Sequence, residues 1–194
     1  AIVRVMSTCR GGPGSVLWCG SAGLAKALAP EETPRVGLPG APRLAVVGTN
    51  HPVSRAQVAH AIAGGASHHA VRTTALVEAQ QFVVRSFESS RDVLLTFELE
   101  PAISAAHASE RIQACLARLL PTLPVPALLA ATGGETLLSI CRALQASRLD
   151  VDAQASPGIP HSRIRGGRWD TTRVLSKSGG FGPPDWLSAI VCAG

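Results

Sequence analysis

Short β-forming runs alternate along this chain with segments of helical periodicity, and no other feature constrains the fold as much. Leu44-Ala45-Val46-Val47, Val93-Leu94-Leu95-Thr96-Phe97, Ala127–Ala131 and Thr172–Ser176 read as strands, the first three almost wholly apolar. After the first, Ser54 is expected to cap a helix, with Gln57 as its capping-box partner. Val58, Ala61 and Ile62 give that helix an apolar face, and Gly64-Gly65 ends it. A strand over Ala70–Ala75 and a helix over Leu76–Phe87 follow. Ile112, Cys115, Leu116, Leu119 and Leu120 form the clearest core-facing stripe, stopped by Pro121. Leu137, Ile140, Cys141 and Leu144 mark another helix. Beyond it come Leu149–Ala155, a break at Pro157-Gly158-Ile159-Pro160, a turn at Gly166-Gly167 and a short helix from Asp185. Strands buried on both faces and separated by helices need crossover connections. The expected class is α/β: a largely parallel sheet with helices on both faces, in a single domain.

Upstream, Arg10–Gly14 is a linker signal, so residues 1–15 read as a linker or the remnant of a missing N-terminal half, and 16–194 as the domain. Val16–Cys19 reads as a short strand, Leu24–Leu28 as a short helix, and Pro30–Pro42 as a connection.

Several classes are disfavoured by composition. With 46% apolar and 16% charged residues the chain is globular. No apolar run approaches the roughly 20 residues a membrane span needs, and no apolar signal segment follows the first basic residues. The net charge is +5, but the arginines are scattered, without a basic run or aromatic-interleaved patch, so no nucleic-acid or membrane partner is expected. Five cysteines without a CxxC pair argue against a disulfide framework or a zinc site; Cys115 and Cys141 read as small hydrophobes on helix stripes. A reducing cytoplasm is expected. The adjacent His68 and His69 read as surface residues before ligands.

In a parallel sheet, ligands sit beyond the carboxyl ends of the strands. Three glycine- or hydroxyl-bearing loops fall there. Thr132-Gly133-Gly134-Glu135-Thr136 follows a strand and opens a helix. Its glycines admit close backbone approach, and free amides at a helix N-terminus favour an anion. Thr136 is expected to be the helix N-cap. An ordinary strand-to-helix turn explains this segment equally well. The second loop is Lys177-Ser178-Gly179-Gly180-Phe181-Gly182. Only Lys26 and Lys177 are lysines, every other strong cation being arginine, so a lysine beside a glycine loop stands out as a phosphate contact. Gly48-Thr49 is the third loop, with a hydroxyl available to ribose or phosphate, although on its own it is better explained as an ordinary helix-entry loop. No GxxxxGK[ST], GxGxxG, HExxH or GxSxG pattern is present.

GSAGLAKAL (Gly20–Leu28), VVGTNHPVSRAQ (Val46–Gln57), ATGGET (Ala131–Thr136), SPGIP (Ser156–Pro160) and LSKSGGFGPPDWL (Leu175–Leu187) occur in this order. The ordered set resembles the C-terminal domain of the four-carbon acid sugar kinases, over nearly the whole chain from about Val16. The resemblance implies that ATP, with Mg²⁺ carried on its phosphates, is held by Gly133, Gly134, Glu135 and Thr136 and by Ser178, Gly179 and Gly180. Thr49 stands where the family loop carries serine, and the hydroxyl is kept. Family members also carry an N-terminal acid-sugar domain with a DDxTG-type motif, whereas no two aspartates are adjacent here. The expectation is a nucleotide-binding domain of a kinase for erythronate- or threonate-type acids, inert toward the acid without that other half. The chain then reads as a fragment or the product of a split gene. A homodimer is compatible with this reading. Two other readings stand beside it: a Rossmann-type dinucleotide-binding oxidoreductase domain, which lacks its glycine fingerprint here, and a non-catalytic dimerisation module.

Overall fold

A computed structural model of the chain describes residues 19–20, 23–24, 37–100 and 102–192. Contacts divide the chain into Ala1–Pro34 and Arg35–Gly194. The strand expected over Val16–Cys19 and the helix over Leu24–Leu28 lie largely outside the described residues.

The second unit is one seven-stranded sheet with five helices. In chain order its elements are β1 (Arg43–Val47), α1 (Pro52–Ala63), β2 (His68–Val71), α2 (Leu76–Glu88), β3 (Val93–Phe97), α3 (Ala105–Leu119), β4 (Leu128–Thr132), α4 (Gly134–Ala143), β5 (Arg148–Ser156), β6 (Ile159–Arg165), β7 (Arg173–Lys177) and α5 (Ser188–Val191). The strand order is β2-β3-β1-β4-β7-β6-β5. β2, β3, β1, β4 and β7 run parallel, while β6 is antiparallel to both β7 and β5. The expected α/β class with a largely parallel sheet is what forms.

Alternation along β1 shows why the central strands must be apolar throughout. Leu44 and Val46 enter one core with Ala79 and Val83 of α2, Ile112, Leu116 and Leu119 of α3, and Ile140 of α4. Ala45 and Val47 enter a second core with Ala61 of α1 and Ile190 and Val191 of α5. Every β1 residue is buried. Both faces of the sheet are covered, so neither side of the strand tolerates a polar pattern. At the amino end of β1 the Arg43 N–H donates to Asp92 Oδ1 at 2.7 Å. The Arg43 guanidinium reaches the Ile190 carbonyl at 2.9 Å and Asp92 Oδ2 at 3.6 Å, which ties α5 to the sheet.

Several local expectations differ from the structure. His51, not Ser54, caps α1: its Nδ1 accepts from the Val53 N–H at 3.2 Å, and Pro52 takes the first helical position, where its missing N–H costs nothing. Ser54 and Gln57 are therefore inside the helix, fully buried. Gly133, with φ 103°, is the N-cap residue of α4, so Thr136 lies in the first turn instead. β2 spans His68–Val71, ahead of the expected Ala70–Ala75, because residues 73–74 form a turn. His68 and His69 are half-buried there. His68 Nε2 lies 2.9 Å from Thr96 Oγ1, and His69 stacks on Phe82. The expected break at Pro157–Pro160 is a hairpin: Pro157-Gly158 turns, and Ile159 and Pro160 already belong to β6. The edge strand β5 is laced with charge. Asp150 pairs with Arg148 and Arg165, and Asp152 with His161 and Arg163. A charged edge discourages further strand pairing.

Candidate functional site

The switch point of the sheet lies at β1. From β1 the chain crosses to β2 at one edge, and after β3 it crosses to β4 on the other side. The carboxyl ends of β1, β4 and β7 are neighbours, so all three loops singled out in the sequence emerge side by side. Val47 is opposite Thr132, and Thr132 opposite Lys177.

Glycine is required where these loops meet. At Gly133 the backbone has φ 103°, outside the range of L side chains, and a Cβ there would lie 3.0 Å from Thr136 Oγ1. Its N–H donates to the Lys177 carbonyl at 2.9 Å, joining the β4 and β7 loops. A Cβ on Gly48 would collide with Thr136 Oγ1, and one on Gly179 would stand 2.8 Å from Thr49 Oγ1. Thr49, Gly133, Thr136 and Gly179 are thus close neighbours.

The N-terminus of α4 opens beside these residues. Gly133 offers no side chain to cap it, and the N–H groups of its first turn have no partners within the helix. Gly134 faces open space, with nothing within 4 Å of a Cβ built on it. The Glu135 carboxylate turns toward α3, accepting from Ser109 Oγ at 2.7 Å. Thr136 is buried, so its hydroxyl packs under the β1 loop.

Lys177 is placed differently from a surface phosphate contact. It is 4% exposed. Its Nζ donates to the Ser178 carbonyl at 3.2 Å and lies 3.3 Å from Ser54 Oγ, over the Trp186 ring at 5.1 Å from the centroid. No carboxylate pairs with it among the described residues. Burial pushes its pKa down to about 8. Ser54 Oγ donates to the Gly179 carbonyl at 2.6 Å. Gln57 Nε2 points at the carbonyls of Phe181, Gly182 and Pro183, the last at 2.8 Å. Read from sequence as a capping box, Ser54 and Gln57 hold the β7 loop instead. One sequence signal foreshadows this. Ser54, Gln57 and Ala61 continue one buried stripe of α1, and polar residues on such a stripe must find partners inside.

A cavity of about 730 Å³ runs from the β1 loop and the first turn of α4 toward β3, between α1 and α3; the β7 loop does not line it. Gly48, Thr49, Glu135 and Thr136 are among its lining residues, and Val58, Ile62, Phe97 and Ile103 give it apolar walls. That volume is in the range of small-molecule sites.

Residues 44–187 match a family model described as a nucleotide-binding C-terminal domain. The chain belongs to that family. No curated protein matches it significantly. Among solved structures it is similar to a Bordetella bronchiseptica protein described as a domain of unknown function, DUF1537, with bound citrate and as a domain-swapped dimer. The TM-score there is 0.59 at 25% identity, over 86% of this chain and 42% of that one. A Haemophilus influenzae DUF1537 protein matches with a TM-score of 0.61 at 18% identity, over 80% of this chain and 40% of its own. A Salmonella typhimurium protein described as a putative tRNA synthase matches at 0.60 and 18%, over 77% and 40%. The DUF1537 family is the four-carbon acid sugar kinase family, so the resemblance carried by the short motifs holds at the level of family. The nucleotide-binding domain spans less than half the length of these relatives. No helix among the described residues is long and apolar enough to cross a membrane.

Proposed function

We propose that this domain binds ATP for a kinase acting on a four-carbon sugar acid of the erythronate or threonate type. The observation that carries the reading is the convergence of three loops on the N-terminus of α4. Uncapped helix amides, an axial dipole and close-packed glycines together suit a polyphosphate. In this reading Gly134, Glu135 and Thr136 contribute backbone N–H groups, since the Glu135 carboxylate is engaged by Ser109, while Gly133, whose own N–H is held by the Lys177 carbonyl, makes the turn that presents them. Thr49 offers its hydroxyl, and Ser178, Gly179 and Gly180 close over the phosphates. Lys177 supplies positive charge from beneath the loop. The cavity between α1 and α3 suits the nucleoside, with apolar walls for the base. Mg²⁺ arrives on the phosphates. Phosphoryl transfer rests on positioning and charge stabilisation around both reactants, so the acid must be supplied by a second, substrate-binding part of the enzyme, and the activity is that of the two together.

Thermal unfolding with and without Mg-ATP tests this, because a ligand of the native state must stabilise it. A rise in Tm that saturates with ATP and is larger than that given by NAD is expected. A folded protein with no shift at millimolar ATP refutes the reading, and a larger shift with NAD replaces it with the dinucleotide one. ATP-dependent phosphorylation of a four-carbon acid, appearing only when a family N-terminal domain is added, tests the kinase step.

A further inference from the structure

The loop after β7 is held almost entirely by its carbonyl oxygens. Ser178 gives its carbonyl to Lys177 Nζ, Gly179 to Ser54 Oγ, and Phe181, Gly182 and Pro183 to Gln57 Nε2. In a planar trans peptide the C=O of one residue and the N–H of the next point in opposite directions. Fixing the Ser178, Gly179 and Phe181 carbonyls toward α1 and Lys177 therefore turns the N–H groups of Gly179, Gly180 and Gly182 away from them. No described residue accepts a hydrogen bond from any of these three. The two residues that follow, Pro183 and Pro184, have no N–H to satisfy. The glycines also permit close packing on the β1 loop. A Cβ on Gly179 would be 2.8 Å from Thr49 Oγ1, and one on Gly180 3.2 Å from His51 Nε2.

We infer that Ser54, Gln57 and Lys177 are positioning residues that grip this loop by its carbonyls, so that the N–H groups of Gly179, Gly180 and Gly182 form a nest for the polyphosphate of a nucleotide. The inference rests on the nucleotide reading above and adds how the loop is made ready. Successive outward N–H groups are a known way to build an anion-binding concavity. Lys177 adds the matching charge: its ammonium is buried, neutral oxygens and an aromatic face surround it, and a bound phosphate would supply the counter-charge. α1 thereby acts on the ligand without touching it.

The test uses the whole chain with three probes, Mg-ATP, inorganic triphosphate and adenosine, followed by titration calorimetry and by backbone amide NMR. With the wild-type protein, triphosphate and ATP should both shift the amide signals of Gly179, Gly180 and Gly182, and adenosine should leave them in place. Ser54→Ala removes one strong hydrogen bond to the loop and should weaken ATP and triphosphate about tenfold while leaving adenosine binding unchanged. Lys177→Met, which removes the cation and keeps the stem, gives a second variant and should do the same more strongly. A merely structural loss would weaken all three probes together, and that result overturns the inference. If ATP binds but both variants hold it as the wild type does, or the three glycine signals do not move, the inference falls and the nucleotide reading stands. If triphosphate moves the three signals and ATP binds no better than triphosphate, the nest stands and the nucleotide reading falls. If neither ligand binds, both fall.

Discussion

Gly134→Asp separates ligand binding from folding better than any other change in the site. Gly134 opens α4, and nothing lies within 4 Å of a Cβ built there. Its φ is not in the left-handed region, so a side chain adds no backbone strain. An aspartate in the first turn of a helix favours the helix dipole by about 0.3–1 kcal/mol, so the free protein should melt at the same temperature or slightly higher. For a bound polyphosphate the same carboxylate is a like charge roughly 5 Å away. Coulomb's law at an effective dielectric of about 20 gives roughly 3 kcal/mol per unit charge, and screening at physiological salt leaves about 2. Two kcal/mol is about a 30-fold loss of affinity. With ATP at about 100 times its Kd, the wild-type protein gains about 2.7 kcal/mol, and the variant, at about 3 times its Kd, gains about 0.8. For a domain of this size that is a Tm rise of about 5–10 °C against about 2–3 °C. Differential scanning fluorimetry across an ATP series reads both numbers, and Gly134→Ala, which adds the Cβ without the charge, should keep most of the wild-type shift. A Gly134→Asp protein whose ATP shift equals that of the wild type would refute the placement of phosphate at this helix.

Other expectations follow from burial and charge. Lys177 titrates at about 8 in the fold, below its ordinary value of 10.5. The unfolded chain therefore holds more protons between those values, and the Lys177 contribution to stability rises as pH climbs from about 8 to 10.5; denaturant unfolding of the wild type and Lys177→Met over that window should show the rise in their difference. Affinity for ATP should change in the opposite sense, falling as pH passes through about 8 and the ammonium is lost, and calorimetry should find this slope absent in Lys177→Met. Trp169 is 1% exposed in the core beneath α4, so Trp169→Ala should cost about 3–5 kcal/mol in urea unfolding. Asp92→Ala should cost a similar amount, about 3–5 kcal/mol, because it leaves the Arg43 guanidinium, whose side chain is 10% exposed, without its carboxylate.

The parts of the fold that were legible in the sequence are those where one local rule acts alone. β1 and β3 are apolar at nearly every position because both faces are covered, and α3 shows its stripe because only one face is. The three loops at the carboxyl ends were legible for the same reason: glycine at 133 and 179 answers to backbone geometry and close approach. The hairpin of β5 and β6 was read as a break because its turn carries Pro157 and Gly158, and because β6, His161-Ser162-Arg163-Ile164-Arg165, mixes charge with apolar residues. That mixture makes sense only once Asp150 and Asp152 stand opposite on β5. Pairing at that range leaves no periodic trace.

The grip on the β7 loop was misread for a subtler reason. A hydroxyl and an amide three residues apart at the start of a helix satisfy the capping rule on their own terms, and a one-dimensional reading stops there. His51 had already met that need, and Pro52 fixed the start of the helix three residues earlier than the cap rule expects. This left Ser54 and Gln57 facing inward, where an unpaired polar group costs about 1–3 kcal/mol. Carbonyls more than a hundred residues away, from Gly179 to Pro183, meet that cost for the Ser54 hydroxyl and the Gln57 NH2, while Gln57 Oε1 is left without a partner among the described residues. The same hydrogen bonds that partner the Ser54 hydroxyl and the Gln57 NH2 hold the β7 loop by its carbonyls, so a change at either side chain perturbs helix and loop together. A variant at Ser54 should therefore lose affinity for polyphosphate by a larger factor than its modest loss of stability explains, and that inequality distinguishes a positioning role from a structural one.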